Sequence, residues 1–237
     1  MLLFIIRHGD PTYSPDALTP LGKRQAEAVG RRLARHGIDE IYTSPLIRAR
    51  ETTQPLCEML HKEPIVADWA SEGFAWEYFT FIDENWENRQ NWVFGIQNTI
   101  FKTPENIKLN DDWMDAYPFN KSKAKEGWEI LKKNSDAFMS SQGYDREGLY
   151  YRVREKNEKR VAVFCHQGFG TTWLSYLLSV SPPLFWSSFD ITHSGVTVLK
   201  LGTSVGGLTG VGVISISDMS HIYESRLPMK FANGIEL

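Results

Sequence analysis

A strand, turn and helix follow one another repeatedly along the chain, and this pattern constrains the fold more than any other feature. Short apolar runs at Leu2 to Ile6, Ile41 to Thr43 and Arg160 to Cys165 each lead into a segment with helical periodicity. Two further apolar runs, Val196 to Leu201 and Val211 to Ile216, are expected to close the sheet. Parallel strands joined by covering helices produce such an alternation. We therefore predict an α/β fold, a three-layer α/β/α sandwich with a mostly parallel sheet.

The first two predicted helices have recognisable ends. Thr19 is a suitable N-cap with Pro20 at the first helical position, and Gly37 is a residue of the kind that ends helices. The second helix is predicted to begin with Ser44 as its cap and Pro45 behind it. Both helices carry apolar residues at helical spacing, so each is expected to turn one face towards the sheet.

The chain between about residues 73 and 158 departs from this alternation. It is aromatic and polar, and it holds a long helical segment from about Ser122. We predict a single domain over residues 1–237 in which residues 73–158 form an inserted helical cap. The tryptophans of this insertion are Trp76, Trp86, Trp92, Trp113 and Trp128.

Charge and composition exclude several classes of partner. The 26 basic and 29 acidic side chains give a formal charge of −3, which offers no global attraction to nucleic acid or anionic lipid. No apolar stretch approaches the roughly 18 residues of a membrane span, and the apolar start is too short for a signal peptide. Cys57 and Cys165 are too few for a disulfide framework. We expect a cytoplasmic protein without nucleic-acid or membrane partners, its oligomeric state open and a homodimer included.

The triplet Arg7-His8-Gly9 stands directly after the first predicted strand. Open α/β sheets place their ligands at this carboxyl edge. A neutral imidazole can attack phosphorus, and a guanidinium can hold phosphate oxygens through paired hydrogen bonds. Alone, the triplet is a weak signal, because a histidine at a strand end is more often an ordinary structural residue.

Two other strand ends carry groups that suit phosphate. Arg48 falls in the opening turn of the second helix, where free amide groups and the helix dipole favour an anion. His166 follows the buried strand that ends at Cys165 and precedes a glycine-bearing helix entry. Because the carboxyl ends of parallel strands share one edge, we expect these groups to meet the triplet there.

Together these motifs resemble the histidine phosphatase superfamily, the phosphoglycerate mutase-like enzymes. The resemblance rests on the Arg7-His8-Gly9 triplet and on three further segments in register, Leu18 to Ala26, Thr43 to Thr52 and Val161 to Gly168. It covers roughly residues 2–72 and 160–216, whereas the insertion has no recognised motif. The resemblance implies a phosphoglycerate mutase-like fold and an enzyme that acts on a small phosphorylated substrate.

The resemblance also implies a role for each matching residue. His8 would be the nucleophile that becomes phosphorylated, while Arg7, Arg48 and His166 would bind the transferring group. This agrees with the chemistry of phosphoryl transfer, in which groups fixed around three charged oxygens supply most of the stabilisation. Neither a metal nor a cofactor is required by this scheme. A metal site formed by His8, His166 and His193 is the weaker reading, because their spacing fits no common zinc motif.

The general acid is expected just before the insertion. The family uses an acidic residue there, to which Glu72 corresponds best, and Glu77 is the nearby alternative. Ser14 and Gln167 are further predicted phosphate contacts at positions where the family more often has asparagine and glycine. These departures indicate a divergent branch and favour hydrolysis over a mutase reaction.

Three functions are open to a chain with these motifs. We predict a metal-independent phosphomonoester hydrolase with a phosphohistidine intermediate; the alternatives are a phosphoglycerate-type mutase and a non-catalytic phosphate-binding module. A pure binder has no need of the nucleophile, which counts against the third. The tryptophans of the insertion are expected mainly to form its core, and otherwise to give an aromatic wall for a ring-bearing leaving group.

Overall fold

The computed structural model of the chain describes residues 1–84, 90–93, 101–104, 106 and 111–229. Its strands are β1 (Leu2–Arg7), β2 (Pro11–Tyr13), β3 (Asp16–Leu18), β4 (Glu40–Thr43), β5 (Ile65–Val66), β6 (Thr80–Ile82), β7 (Gln90–Trp92), β8 (Tyr144–Glu147), β9 (Tyr150–Val153), β10 (Arg160–Cys165), β11 (Val196–Lys200), β12 (Leu208–Thr209) and β13 (Gly212–Asp218). Its α-helices are α1 (Pro20–His36), α2 (Ile47–Leu60), α3 (Glu72–Tyr78), α4 (Ala124–Ser141), α5 (Gln167–Leu178), α6 (Pro182–Trp186) and α7 (Ser220–Glu224). Short 3-10 helices cover Asp68–Ala70, Asp111–Asp115 and Phe119–Lys121.

The central sheet has six strands in the order β13-β11-β1-β10-β4-β5. β1, β10, β4 and β5 are parallel, and β11 is antiparallel to both of its neighbours. Arg7 pairs with Cys165, and Phe164 pairs with Thr43. The residues that follow these strands, His8, Ser44 and His166, therefore emerge side by side at one edge. The prediction of a mostly parallel sheet is confirmed.

Helices cover both faces of this sheet, because its central strands are apolar on both sides. Phe4 and Ile6 pack with apolar residues of α1 and α2, including Val29 and Leu56. Leu3 and Ile5, which alternate with them along β1, pack with residues of α4 and α5 on the other face. Two separate cores on one sheet give the predicted three-layer α/β/α sandwich.

The ends of α1 are as predicted, whereas the start of α2 is not. Thr19 caps α1 by accepting the amide of Gly22, and Gly37 ends it in the left-handed conformation. Ser44 is not the cap of α2, which begins at Ile47. The Asp16 carboxylate accepts the Ile47 amide instead, and Ser44 Oγ bonds to a histidine described below. A carboxylate from a distant hairpin has replaced the local cap.

The segment predicted as an inserted helical cap, residues 73–158, contains all of α3 but its first residue, the antiparallel pair β6–β7, α4 and the hairpin β8–β9. Its predicted helical segment from about Ser122 is α4. Trp113 and Trp128 are buried in the core that lies on the α4 side of the sheet. Trp86 lies outside the described residues. Within the described ranges, no helix combines the length and apolar character needed to cross a bilayer.

Candidate active site

His8 is fixed at the carboxyl edge of β1 by its backbone and its ring. Its amide donates to Cys165 O at 3.0 Å, and its carbonyl accepts the Ser194 amide at 3.0 Å. Nδ1 of the ring lies 2.7 Å from Gly9 O, which can only accept, so Nδ1 carries the proton. Nε2 is then the unprotonated nitrogen, whose lone pair can accept a hydrogen bond. It faces Arg48, whose Nε donates to it at 3.3 Å.

Gly9 is required by packing. Its amide donates to Thr52 Oγ1 at 2.9 Å, and a Cβ at this position would lie 2.7 Å from the carbonyl oxygen of Gly22 in α1. That neighbour is backbone and cannot move aside as a side chain could. The close approach at Gly9 brings the start of α1 against the loop that carries His8.

Arg48 is held in place by two groups from the hairpin β2–β3. Its Nη1 donates to Asp16 Oδ1 at 2.6 Å, and its guanidinium carbon lies 5.4 Å from the centre of the Tyr13 ring. The side chain is 9% exposed, so solvent screens this ion pair little. The result is a guanidinium with fixed orientation whose Nε points at the free nitrogen of His8.

His166 packs directly against His8, with ring centres 5.0 Å apart. Its Nε2 lies 2.7 Å from Ser44 Oγ, and its Nδ1 has no hydrogen-bond partner among the described residues. The separation of the two rings is that of aromatic groups in contact. The two rings are therefore in direct contact, and a phosphoryl group cannot lie between their faces.

Arg7 supplies a second guanidinium next to His8. Its Nη1 donates to Ile191 O at 2.7 Å, which fixes the end of the side chain. Burial lowers the pKa of Arg7, and the carboxylates of Glu72 and Asp190 oppose that shift. Since an arginine pKa starts near 12.5, the group stays charged at neutral pH. Arg7 and Arg48 thus place two cations near His8.

Glu72 is the first residue of α3, and its carboxylate lies at the first turn of α5. Its Oε1 accepts the amide of Gly168 at 2.9 Å and its Oε2 accepts the amide of Phe169 at 2.9 Å. Burial raises the pKa of Glu72, against the opposing effect of these two amides and of the arginines. A carboxyl with a raised pKa is suited to donate a proton near neutral pH.

The histidines of the site are neutral. Burial, with smaller contributions from His166 and Arg7, holds the pKa of His8 well below its ordinary value. Burial followed by the two arginines does the same for His166. The pKa of His193, whose ring lies 5.4 Å from His8, is lowered to about 3, again mainly by burial. A neutral His8 keeps its lone pair available for attack on phosphorus.

One cavity of about 440 Å³ connects these groups to the surface. Its wall contains five of the predicted site residues, Arg7, His8, Arg48, Glu72 and Gln167. The remaining residues of the wall are largely aromatic or apolar, and they are Tyr13, Leu46, Gly73, Trp76 and Trp92. The tryptophans of the insertion therefore divide into two sets: Trp113 and Trp128 are core, whereas Trp76 and Trp92 face the cavity.

The other predicted site residues differ in how they are placed. His166 lies behind His8 and not in the cavity wall. Gln167 lines the cavity, with its Nε2 donating to Asp190 at 2.7 Å. Ser14 lies exposed in the turn between β2 and β3 and does not line the cavity, because the preceding Tyr13 is the residue that reaches Arg48. Glu77 is exposed on α3 and does not line the cavity, which favours Glu72 as the acid.

Sequence reasoning missed two residues that arrange the site. Asp16 holds Arg48, and Ser44 holds His166. A carboxylate and a hydroxyl at these positions could be seen in the sequence. Only the fold brings Asp16 next to Arg48, which lies 32 positions later in the chain. Among the described residues, no group of three or more histidine, cysteine or acidic side chains is arranged to hold a metal ion, and this includes His8, His166 and His193.

Comparison with known proteins gives one family and a set of related folds. The sequence model of the histidine phosphatase superfamily (branch 1) matches residues 3–100. A phosphoserine phosphatase from Entamoeba histolytica, solved with 3-phosphoglyceric acid, shares 18% identity with a TM-score of 0.58 over 93% of this chain and 98% of that one. No curated protein sequence matches the chain.

Two other solved structures show the same fold. A mycobacterial glucosyl-3-phosphoglycerate phosphatase has 16% identity and a TM-score of 0.56, covering 91% of this chain and 98% of its own. The alpha-ribazole phosphatase from Shigella flexneri has 15% identity and a TM-score of 0.59, covering 92% of this chain and 96% of its own. The chain is thus similar to the histidine phosphatase superfamily over residues 3–100, and it shares the fold of these phosphatases over more than nine-tenths of its length.

Proposed function

We propose that the chain is a phosphomonoesterase that transfers the phosphoryl group of a small substrate to His8 and then to water. One observation carries this proposal: the unprotonated Nε2 of a neutral His8 faces a guanidinium at the inner end of a cavity. A residue that only bound phosphate would be a cation or an amide donor. Here the histidine atom that faces Arg48 is an unprotonated nitrogen, which is the nucleophile that the reaction needs.

In the first step, Nε2 of His8 forms a bond to phosphorus while the bond from phosphorus to the leaving oxygen breaks. The electron pair of that bond stays on the leaving oxygen, which takes a proton from Glu72. Arg48 and Arg7 stabilise the charge on the phosphoryl oxygens as it develops. The arginines are already fixed by Asp16 and by the Ile191 carbonyl, so little reorganisation is needed.

In the second step, water attacks phosphorus, the N–P bond breaks and His8 is regenerated. Glu72, now a carboxylate, accepts a proton from that water. His166 packs against His8 from behind, and the contact of its Nε2 with Ser44 Oγ fixes its ring. No step in this scheme requires a metal ion.

We favour hydrolysis over phosphate return to a rearranged product. The three structural relatives above are all named as phosphatases. Trp76, in the cavity wall, is 51% exposed, so water reaches the region from which the leaving group departs. The net charge of −3 supports a small-molecule substrate, and we place the reaction in the cytoplasm without nucleic acid or membrane.

The proposal is tested by turnover of phosphomonoesters in the presence of a chelator. We expect release of inorganic phosphate, undiminished by the chelator, and a loss of at least about four orders of magnitude in His8→Ala, as for other enzymes that lose their nucleophile. His36→Ala is the matched control, since His36 is exposed at the other end of α1. Turnover that persists in His8→Ala, or isomer interconversion without phosphate release, would contradict hydrolysis through His8.

A further inference from the structure

We propose that Trp76, Trp92 and Tyr13 form a subsite for a flat, uncharged ring in the leaving group of the substrate. The position of the leaving oxygen in this inference rests on the proposed function. The three aromatic side chains line the same cavity as His8 and Glu72. The ligand class is therefore a phosphomonoester in which an aromatic ring lies within a few bonds of the ester oxygen.

Trp76 is placed by the helix that also carries the proposed acid. Glu72 and Trp76 lie four residues apart on α3, so their side chains point from the same face, with Cβ atoms about 6 Å apart. Both line the cavity. A group attached to the oxygen that Glu72 protonates therefore meets the indole of Trp76 within one helical turn.

Trp92 contacts Trp76, so the two indoles form one aromatic surface in the cavity wall. The antiparallel pair β6–β7 follows α3 directly, and its register places Trp92 opposite Thr80. Thr80 Oγ1 in turn donates to the carbonyl of Trp76 at 2.5 Å. The two indoles meet at 5.4 Å between ring centres with an angle of 71°, an edge-to-face contact. The surface that a ring would contact is thus ordered before any ligand arrives.

Tyr13 adds an aromatic group next to the phosphate site. The guanidinium carbon of Arg48 lies over its ring, 5.4 Å from the ring centre, yet Tyr13 is 68% exposed. Trp76 is 51% exposed. Large aromatic groups that stay exposed around a cavity mark binding surfaces more often than core. Here both are adjacent to groups that would contact the phosphoryl group and its leaving oxygen.

The charges of the cavity wall favour a neutral ring. Among the described residues that line it, the cations are Arg7 and Arg48, and both are directed at the phosphoryl site. Asp190 lies beside Gln167, and Asp16 is paired with Arg48. A leaving group that carries its own carboxylate would find no further cation in this described wall. An uncharged ring needs no such partner.

Binding of two phosphonates of equal carbon count tests the subsite. Benzylphosphonate carries a flat ring and cyclohexylmethylphosphonate a puckered one, and neither can be hydrolysed. We expect calorimetry to show the benzyl compound bound at least about tenfold more tightly, because ring stacking on an aromatic side chain is worth a decade or more of affinity. Phosphonoacetate, which adds a carboxylate instead, should bind more weakly than either.

Three variants show whether the named residues cause the preference. Trp76→Leu and Trp92→Leu should reduce the benzyl preference to less than about threefold while the affinity for inorganic phosphate stays the same. Trp76→Phe, which keeps a ring, should retain part of it. Tyr223→Ala is the matched control, since Tyr223 is 77% exposed on α7 outside this cavity. Equal binding of both phosphonates, or a preference that survives in both leucine variants, would overturn the subsite.

The outcome is separable from that of the proposed function. If the benzyl preference is present but His8→Ala turns over phosphomonoesters normally, the subsite stands and the mechanism fails. If phosphate transfer depends on His8 but the two phosphonates bind equally, the mechanism stands and the subsite fails.

Discussion

The inner and outer halves of the cavity are built in different ways. The inner half takes its histidines and arginines from the ends of β1 and β10 and from the start of α2, and each is fixed by a hydrogen bond. The outer half takes aromatic side chains from the hairpin β2–β3 and from the insertion, and these are partly exposed. The inner half is therefore suited to one chemical group, and the outer half can vary with the substrate.

The largest expected difference is in stability, between a tryptophan of the insertion that packs in the core and one that lines the cavity. Trp113 is 1% exposed and contacts the rings of Phe119, Trp128 and Trp186 at 5.2 to 5.8 Å. Trp113→Ala should lower the free energy of unfolding by about 3–5 kcal/mol, as for other large core residues. Trp76→Ala should lower it by only about 1 kcal/mol or less. Urea unfolding measures both, and equal losses would erase the distinction between core and wall.

Arg48 should show the next largest effect, because it belongs to the inner half. Arg48→Ala is expected to lower kcat/KM by about two to three orders of magnitude, the usual cost of one donor to a developing charge. Arg48→Lys should recover little, since an ammonium group cannot contact both His8 and Asp16 in the same geometry. Steady-state kinetics decides this; full activity in the lysine variant would show that charge alone suffices.

Glu72 should respond to pH in a defined direction. Because burial raises its pKa, Glu72 stays protonated to a higher pH than an ordinary carboxyl, and kcat for an alkyl phosphate should fall as pH rises through that raised pKa. Glu72→Gln should lower kcat by about 10²-fold and remove this fall. Aryl phosphates, whose leaving groups need less protonation, should lose much less. An unchanged pH profile in the variant would assign Glu72 to capping α5 alone.

Asp16 should have the smallest effect, because it acts on the reaction only through Arg48. Asp16→Asn keeps an acceptor for the Ile47 amide but weakens the ion pair, and about a tenfold fall in kcat/KM is expected. Asp218→Asn is the matched control, since Asp218 forms an equally short pair with Arg32 away from the cavity. Equal effects of the two variants would show a loss of stability and not of positioning.

The inner half could largely be predicted from the sequence. Its groups follow strands or begin helices, so the position of Arg7, His8, Arg48 and His166 at one edge follows from the strand pattern. What could not be predicted is how they are held. The contact of Asp16 with Arg48 depends on how the hairpin β2–β3 folds back, and Ser44, predicted as a helix cap, is used by His166 instead.

The outer half could be predicted much less well, because composition does not say which way a side chain points. The sequence does not distinguish the tryptophans of the insertion that pack in the core from those that line the cavity. The register of β6–β7 sends Trp92 onto α3 and towards the cavity, whereas Trp113 and Trp128 pack in the core near α4. Ser14 shows the same limit: it is next to a cavity residue, Tyr13, but lies outside the cavity itself.

The central claim is that Nε2 of His8 receives the phosphoryl group, and trapping the intermediate tests it most directly. The enzyme is mixed with a ³²P-labelled phosphomonoester, quenched in alkali within milliseconds and mapped by peptide. We expect label on His8 that is stable to alkali and lost in acid, and no label in His8→Ala. Label on another residue, or turnover that continues in His8→Ala, would contradict it.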